Sequence, residues 1–283
     1  MTRILGFSGR KGSGKSTCSN FIHGYQLRAF NVVQEFSITE SGDLVVQDGR
    51  RFVKLDLRRV DDEFFSWAIH NMWPYVKNYS FASPLKTIAS ELFGLTKEQC
   101  YGTQKQKNEK IKHLLWENMP GVVTENWLLN QHEEDFPTLG LTYHRPGPMT
   151  AREFLQYFGT DVCRKIFNNI WTERLIKDVQ NESSLLAVVD DARFENEIEH
   201  IHKNEGKVIR LTRNPNPEDH HDSEKALDSF EGFDAVIDNQ NMNIHETNIK
   251  IIELLKEWDW LGDEIKAEQT KPEIVGGIHK IKG

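Results

Sequence analysis

Residues Ile4–Thr17 read ILGFSGRKGSGKST, and the rest of the chain is organised around this stretch. Ile4–Phe7 is a short apolar run of the kind that forms a buried strand. It leads at once into Gly9-Arg-Lys-Gly-Ser-Gly14-Lys15-Ser16, a full match to the phosphate-loop pattern G-x-x-x-x-G-K-[ST]. Glycine lets the backbone curl so that successive N–H groups face one bound phosphate, a turn that side chains would obstruct. Lys15 is spaced to reach the β- and γ-phosphates of a nucleotide, and the Ser16 hydroxyl to complete a Mg2+ shell. A helix starting near Lys15 adds the positive end of its dipole. A Gly/Ser/Lys-rich loop can match this pattern with no ligand, but this one lies between a strand and a helix. Nucleotide binding is the expectation.

A chain of 283 residues can form one large α/β domain or two small ones, and 38% hydrophobic residues with seven Trp support a real core. The formal charge of −8 argues weakly against a duplex-DNA binder and leaves a local phosphate site untouched. Cys18, Cys100 and Cys163 are far apart and odd in number, neither a disulfide framework nor a metal set, which points to a reducing cytoplasm. No run approaches the roughly 18 apolar residues of a membrane span, and the first strand starts too early to leave room for a signal peptide.

Ser16 to about Ala29 reads as a helix. Residues 32–60 alternate in short runs around Glu40-Ser-Gly-Asp43 and Asp48-Gly49, which predicts an inserted β-hairpin or three-stranded meander, either a substrate lid or, the favoured option, a surface elaboration. Asp61–Trp73 has helical spacing. In Tyr79-Ser-Phe-Ala-Ser-Pro-Leu-Lys86, Phe81 and Ala82 close a strand, Ser83 is a natural N-cap and Pro84 suits the first turn. Ser83 and Lys86 at that helix start form a second candidate anion site. The basic run Lys105–Lys112 has the look of a helix with a solvated face, and His132 with Glu133–Asp135 reads as a surface loop rather than a metal set.

Thr150 with Glu153 three residues on marks another helix start. Arg152 and Arg164 follow on that helix, about 18 Å apart along its axis if it is continuous. Gly159-Thr160 is expected to break it and let the two arginines converge on a transferring phosphoryl group; ordinary surface salt bridges are the plainer alternative. Ser184–Val189 is near-continuously apolar, as a parallel strand buried on both faces should be, and ends in Asp190-Asp191-Ala-Arg193. Acidic residues at such a strand end are placed to hold Mg2+ or its water, which makes Asp190 and Ser16 the candidate metal ligands; Arg193 leaves the same edge. Helix 195–204, strand Lys207–Leu211, the loop after Arg213, a capped helix at Ser223/Glu224, strand Ala235–Asp238 and helix Ile244–Trp258 complete the pattern. That last helix could serve a homodimer as easily as a core. Strands alternating with helices predict a three-layer α/β fold with a mostly parallel sheet, residues 1–261 forming one domain with insertions at about 32–78 and 100–148, and 262–283 a polar tail.

Together GRKGSGKST, FASPLK, REFLQYFGTDVCR, VVDDARFENEIE, VIRLTR and HHDSE resemble the deoxynucleoside monophosphate kinases of bacteriophages, a branch of the P-loop nucleoside monophosphate kinase fold. The resemblance covers roughly residues 1–30, 79–100 and 150–256. It implies transfer of the γ-phosphate of ATP to a dNMP for DNA precursor synthesis, with ATP and Mg2+ as cofactors, a small-molecule partner, no stable nucleic acid or membrane, and a helical lid at about 145–180. Gly12, Ser13, Gly14, Lys15, Ser16 and Thr17 would then hold the ATP phosphates and Mg2+, with Lys11 where the monophosphate approaches. Ser83 and Lys86 fall in the acceptor-binding segment, and Arg152, Gly159 and Thr160 in the substrate- and phosphate-contacting motif. Trp171 matches an aromatic near the base, and Asp191, Arg193 and Glu197 match the D-x-R-x-x-x-E after the buried strand. The chain departs from some relatives in having Lys15-Ser16 where they carry Lys-Asp, and its two insertions hold no motif that maps.

The implied catalytic set is Lys15, Arg152, Arg164, Arg193 and Asp191, the cations neutralising a loose transition state and Asp191 positioning metal or substrate. No general base is demanded, because a 5′-monophosphate is already an anionic nucleophile. Closure of the Arg152 region would exclude water. Two alternatives are a P-loop kinase acting on a modified base in DNA, which needs a basic groove, and a non-catalytic NTP-binding module. Which dNMPs are accepted is not legible in the residues.

Overall fold

β1 (Arg3–Gly9) is buried from Ile4 to Gly9 and forms the middle of a five-stranded parallel sheet. The structure is a computed structural model that describes residues 2–59, 61–124, 141–215 and 226–260. Side chains alternate across a strand. Leu5 and Phe7 therefore enter one core, while Gly6 faces Ile201, which stands where a Cβ would be 2.9 Å away. The described residues fall into two compact units, Met1–Ser80 with Leu175–Gly283 and Phe81–Arg174.

In the first unit, α1 (Lys15–Ala29) follows the phosphate loop. The predicted insertion is a three-stranded antiparallel sheet of β2 (Phe36–Ile38), β3 (Leu44–Asp48) and β4 (Arg51–Lys54). It packs on α1. A Cβ on Gly24 would lie 2.2 Å from the Phe36 ring, so glycine is what lets the sheet approach the helix. At the β2–β3 turn, Gly42 (φ +83°) comes so close to Thr17 that a Cβ would stand 2.2 Å from its Oγ1, and its carbonyl accepts from Asn20 Nδ2 at 2.8 Å. α2 (Asp62–Asn71) is capped by the Asp61 carboxylate, which accepts from the Phe64 N–H at 3.0 Å. β5 (Val76–Tyr79) then joins the main sheet. The predicted strand end at Phe81-Ala82 is corrected: pairing stops at Tyr79, and Ala82 is already in a helical conformation.

The second unit contains α3 (Ser83–Phe93), α4 (Lys97–Tyr101), α5 (Gln104–Lys107), β6 (Lys110–Leu115), β7 (Val122–Val123), β8 (Thr142–Tyr143), β9 (Pro148–Thr150) and α6 (Ala151–Gln156). Its core gathers Ala89, Leu95, Ile111, Met149 and Phe154. The Lys105–Lys112 run is not one helix. α5 ends at Lys107, and Lys110 begins a strand because Ile111 pairs with Met149 across β6–β9, a tertiary pairing that overrides local helical spacing. His132 and Glu133–Asp135 lie outside the described residues, as do Ser223/Glu224 and the tail.

α6 does not break at Gly159-Thr160 as expected. It continues as a π-helical segment over Tyr157–Arg164, a widened turn of the kind often found at functional sites. Gly159 serves packing here: a Cβ on it would be 2.6 Å from Leu85 Cδ2, and its carbonyl accepts from Trp171 Nε1 at 3.2 Å.

The chain returns to the first unit within α7 (Ile170–Glu182). β10 (Leu186–Ala192), α8 (Glu195–Lys203), β11 (Lys207–Leu211), β12 (Ala235–Ile237) and α9 (Ile244–Glu257) follow. β10 starts two residues later than predicted and takes Asp190 and Asp191 into the strand itself. The sheet order is β12-β11-β1-β10-β5, all parallel, with helices on both faces: the three-layer α/β arrangement of a P-loop kinase. The apolar face of α9 is used by this core, where Ile251 and Leu255 are fully buried. Among the described residues no helix is long and apolar enough to cross a membrane.

One buried polar group makes the fold sensitive to acid. His23 on α1 is fully buried, its Nδ1 bonded to the Ser19 carbonyl at 2.8 Å and its Nε2 without a hydrogen-bond partner. Burial pushes its pKa down from 6.5 to about 4, so the folded state holds it neutral while the unfolded chain protonates near 6.5. Its contribution is therefore complete above pH 6.5 and is lost as the pH falls towards 4, at up to about 1.4 kcal/mol per pH unit. Urea unfolding between pH 7 and 4.5 should give a steeper loss for the wild type than for His23→Gln; parallel curves would refute this.

Candidate active site

The loop joining β1 to α1 is built from backbone conformations that favour glycine. Gly12 has φ +81° and Gly14 φ +104°, and Gly9 (φ +152°) has no room for a Cβ, which would lie 2.5 Å from Ser13 Oγ and 2.8 Å from the Leu211 carbonyl. A loop of this kind turns its N–H groups inward and makes a nest for an anion. Lys15 spans it from inside, only 9% exposed, with Nζ donating to the Gly9 carbonyl at 2.6 Å and the Arg10 carbonyl at 2.9 Å. Ser13 Oγ is buried there without a hydrogen-bond partner. Lys11 stands half-buried on the same loop.

A second strut comes from the far edge of the sheet. Asn239, after β12, donates from Nδ2 to the Ser13 carbonyl at 2.8 Å, and its own Oδ1 and carbonyl accept from Arg213. Burial pushes the Cys18 thiol up to about 12, against the nearby positive charges of Arg213 and Lys15. Cys18 is thus a packing thiol. Arg213 and Asn239 were not singled out by the sequence, because no local pattern ties residue 239 to residue 13.

At the carboxyl end of β10 the two aspartates part company. Ser16 Oγ donates to Asp190 Oδ2 at 3.1 Å, and Ser80 Oγ to Asp191 Oδ2 at 2.6 Å. The two residues expected as metal ligands, Ser16 and Asp190, are thus hydrogen-bonded to each other. Arg58, from the loop after β4, donates to Ser16 Oγ at 2.8 Å and stands 3.7 Å from Asp190 Oδ2. These two hard oxygens, which already hold a guanidinium, could hold a metal cation. Among the described residues no group of three or more His, Cys, Asp and Glu could hold a metal. Glu197 is 2% exposed and accepts from the Arg193 and Phe194 N–H groups at 2.7 and 3.2 Å, so its place is to cap α8 and fix the backbone from which Arg193 projects.

In the second unit Ser83 and Lys86 lie at the start of α3 and Arg152 at the start of α6. Ser83 is not the N-cap of α3; Ala82 is, and Ser83 stands in the first turn with its hydroxyl bonded to Tyr101. Lys86 Nζ sits 4.3 Å from the centroid of the same Tyr101 ring, so an aromatic that the sequence reading passed over brings Ser83 and Lys86 together. Thr150 and Glu153 form the predicted capping box, each accepting from the other's N–H. That box presents Arg152, whose Nε donates to Asn108 Oδ1 at 3.2 Å and whose Nη2 donates to Gln104 Oε1. Both partners are neutral amides. Arg10 and Arg59, by contrast, are paired with carboxylates, Asp228 and Asp61. Arg164 reaches the Asn168 carbonyl at 3.5 Å, Thr160 is exposed, and Trp171 is buried at 4% exposure beneath Gly159.

Comparison with known proteins adds an independent line. A model of the family described as deoxynucleotide monophosphate kinase matches residues 96–251, which include Arg152, the π-helical segment and the Asp190–Glu197 stretch but not the phosphate loop. The chain is also 30% identical over 190 residues to a putative deoxynucleotide monophosphate kinase of Acanthamoeba polyphaga mimivirus, covering 61% of this chain and 79% of that relative.

Proposed function

This chain belongs to the deoxynucleotide monophosphate kinase family, and from that premise we infer that it moves the γ-phosphoryl group of ATP to a free dNMP, with Mg2+ as the assisting ion. It is a phosphotransferase. In the reaction a phosphate oxygen of the dNMP forms the new P–O bond, the bond from the γ-phosphorus to the bridging oxygen breaks, and ADP leaves. The observation that carries the ATP reading is the Gly9–Ser16 loop, with Lys15 buried inside it and Ser16 resting on Asp190.

The loop amides and Lys15 bind the donor's phosphates and meet the charge that builds on them in the transition state. Ser16 Oγ and Asp190 Oδ2 are the oxygens that would hold Mg2+, which when bound neutralises phosphate charge and orients the terminal group. Arg193, set by Glu197, and Asp191, set by Ser80, lie at the same strand end for positioning. In the second unit Arg152, Ser83 and Lys86 bind the acceptor, Arg164 and Thr160 lie on the same helical stretch, and Trp171 holds the Gly159 turn in place. No proton acceptor is required, since the attacking phosphate oxygen carries its own charge.

The test is ADP release from ATP with dGMP, dTMP, dCMP, dAMP and 5-hydroxymethyl-dCMP each in turn. The expected result is dNDP formed one-for-one with ADP for at least one of them, and negligible ADP without acceptor. ATP binding with no dNDP from any of the five would sink the proposal.

A further inference from the structure

Ser16 and Asp190 share a cation that the phosphate-loop pattern does not contain. Arg58 Nη2 lies 2.8 Å from Ser16 Oγ and 3.7 Å from Asp190 Oδ2. It comes from the insertion, 42 residues from Ser16 in sequence, and its side chain is 57% exposed where that of Asp190 is 10% exposed. The insertion is pinned to the same helix end by Gly42 against Thr17 and Asn20, and the Arg58 N–H is held by Asp56 Oδ1 at 3.0 Å. The guanidinium therefore reaches these oxygens from an anchored loop. A guanidinium and a divalent ion cannot share them, because their charges repel and both need the same lone pairs.

Resting on the reading of Gly9–Thr17 as the ATP site, we propose that Arg58 is a positioning residue for the phosphate donor, a tethered counter-cation that holds Ser16 and Asp190 until Mg2+ takes its place. Without a divalent ion, Arg58 offsets the repulsion between Asp190 and an incoming triphosphate. With the ion present that repulsion is already offset, and Arg58 must leave both oxygens. Arg58 thus sets how strongly ATP binding depends on Mg2+, and the insertion, which looks like decoration in the sequence, is part of the donor site.

The experiment is calorimetric titration of ATP into the full chain, in EDTA and in Mg2+, for the wild type, Arg58→Ala, Arg58→Lys and Lys15→Ala. Arg58→Ala should weaken ATP binding in EDTA by about five- to tenfold, the size of one partly exposed charge-assisted contact, and leave it unchanged or tighter in Mg2+. Arg58→Lys, which keeps the charge without the planar fork, should fall between. An equal loss in both media, as expected of an arginine that only braces a loop, overturns the inference, and so does no change in either. If Arg58→Ala does not fold, the Arg58→Lys ratio carries the test alone. A wild type that binds ATP in neither medium, or no better than Lys15→Ala, removes the donor-site reading and this inference with it.

Discussion

Replacing Lys15 by alanine is expected to lower kcat for phosphoryl transfer by about 10³-fold, the scale of removing one preorganised charge from a developing oxyanion. The ammonium is held at 9% exposure by the Gly9 and Arg10 carbonyls, so it is desolvated and aimed before any ligand arrives. Preorganisation is the physical reason for the size of the effect: little reorganisation remains to be done as charge builds up. The same two hydrogen bonds brace the loop, so the substitution also removes an internal strut. Thermal unfolding measured alongside kinetics separates the two. A shift of a few degrees with a thousandfold fall in kcat is the expected pair. A kcat within threefold of wild type would mean that this loop is not where the transferred phosphate is held.

Arg152→Ala is expected to cost about 10²–10³-fold in kcat/KM for the dNMP, with little effect on the affinity for ATP alone. Among the described residues Arg152 contacts the amide oxygens of Asn108 and Gln104, which orient the guanidinium without neutralising it. A charge held in place yet not compensated is a good phosphate receptor, because binding requires no ion pair to be broken first. Arg59, bound to both Asp61 and Glu63, shows the opposite arrangement, and Arg59→Ala serves as the control with unchanged kinetics. Arg152→Lys should recover only part of the loss, since an ammonium cannot hold both amides and a phosphate in one plane. Wild-type kcat/KM in Arg152→Ala would remove Arg152 from the acceptor site.

Much of this protein is local in origin and was therefore legible along the chain. The strand–loop–helix at Ile4–Thr17, the Thr150–Glu153 capping box, the buried strand before Asp190 and the glycine-turned meander all follow from residues within a few positions of one another. The glycine-built loop conformation belongs to this class, because a nest needs only neighbouring amides. The helix expected to end at Gly159 misled for a related reason: glycine's cost to a helix is local, but what Gly159 gains comes from Leu85 and Trp171, distant in sequence. Likewise Lys110–Leu115 became a strand because β9 was there to pair with it.

What only the tertiary structure decided are the partners of the candidate site's side chains. Asn239 on Ser13, Tyr101 between Ser83 and Lys86, Glu197 turned inward as a cap, and Arg58 across Ser16 and Asp190 are pairings of side chains that meet only after the chain has folded. A sequence pattern records which groups are available at a fixed spacing. Which charge is neutralised, and by what, depends on distances of a few ångströms between segments far apart in the chain, and Coulomb energies vary steeply over that range.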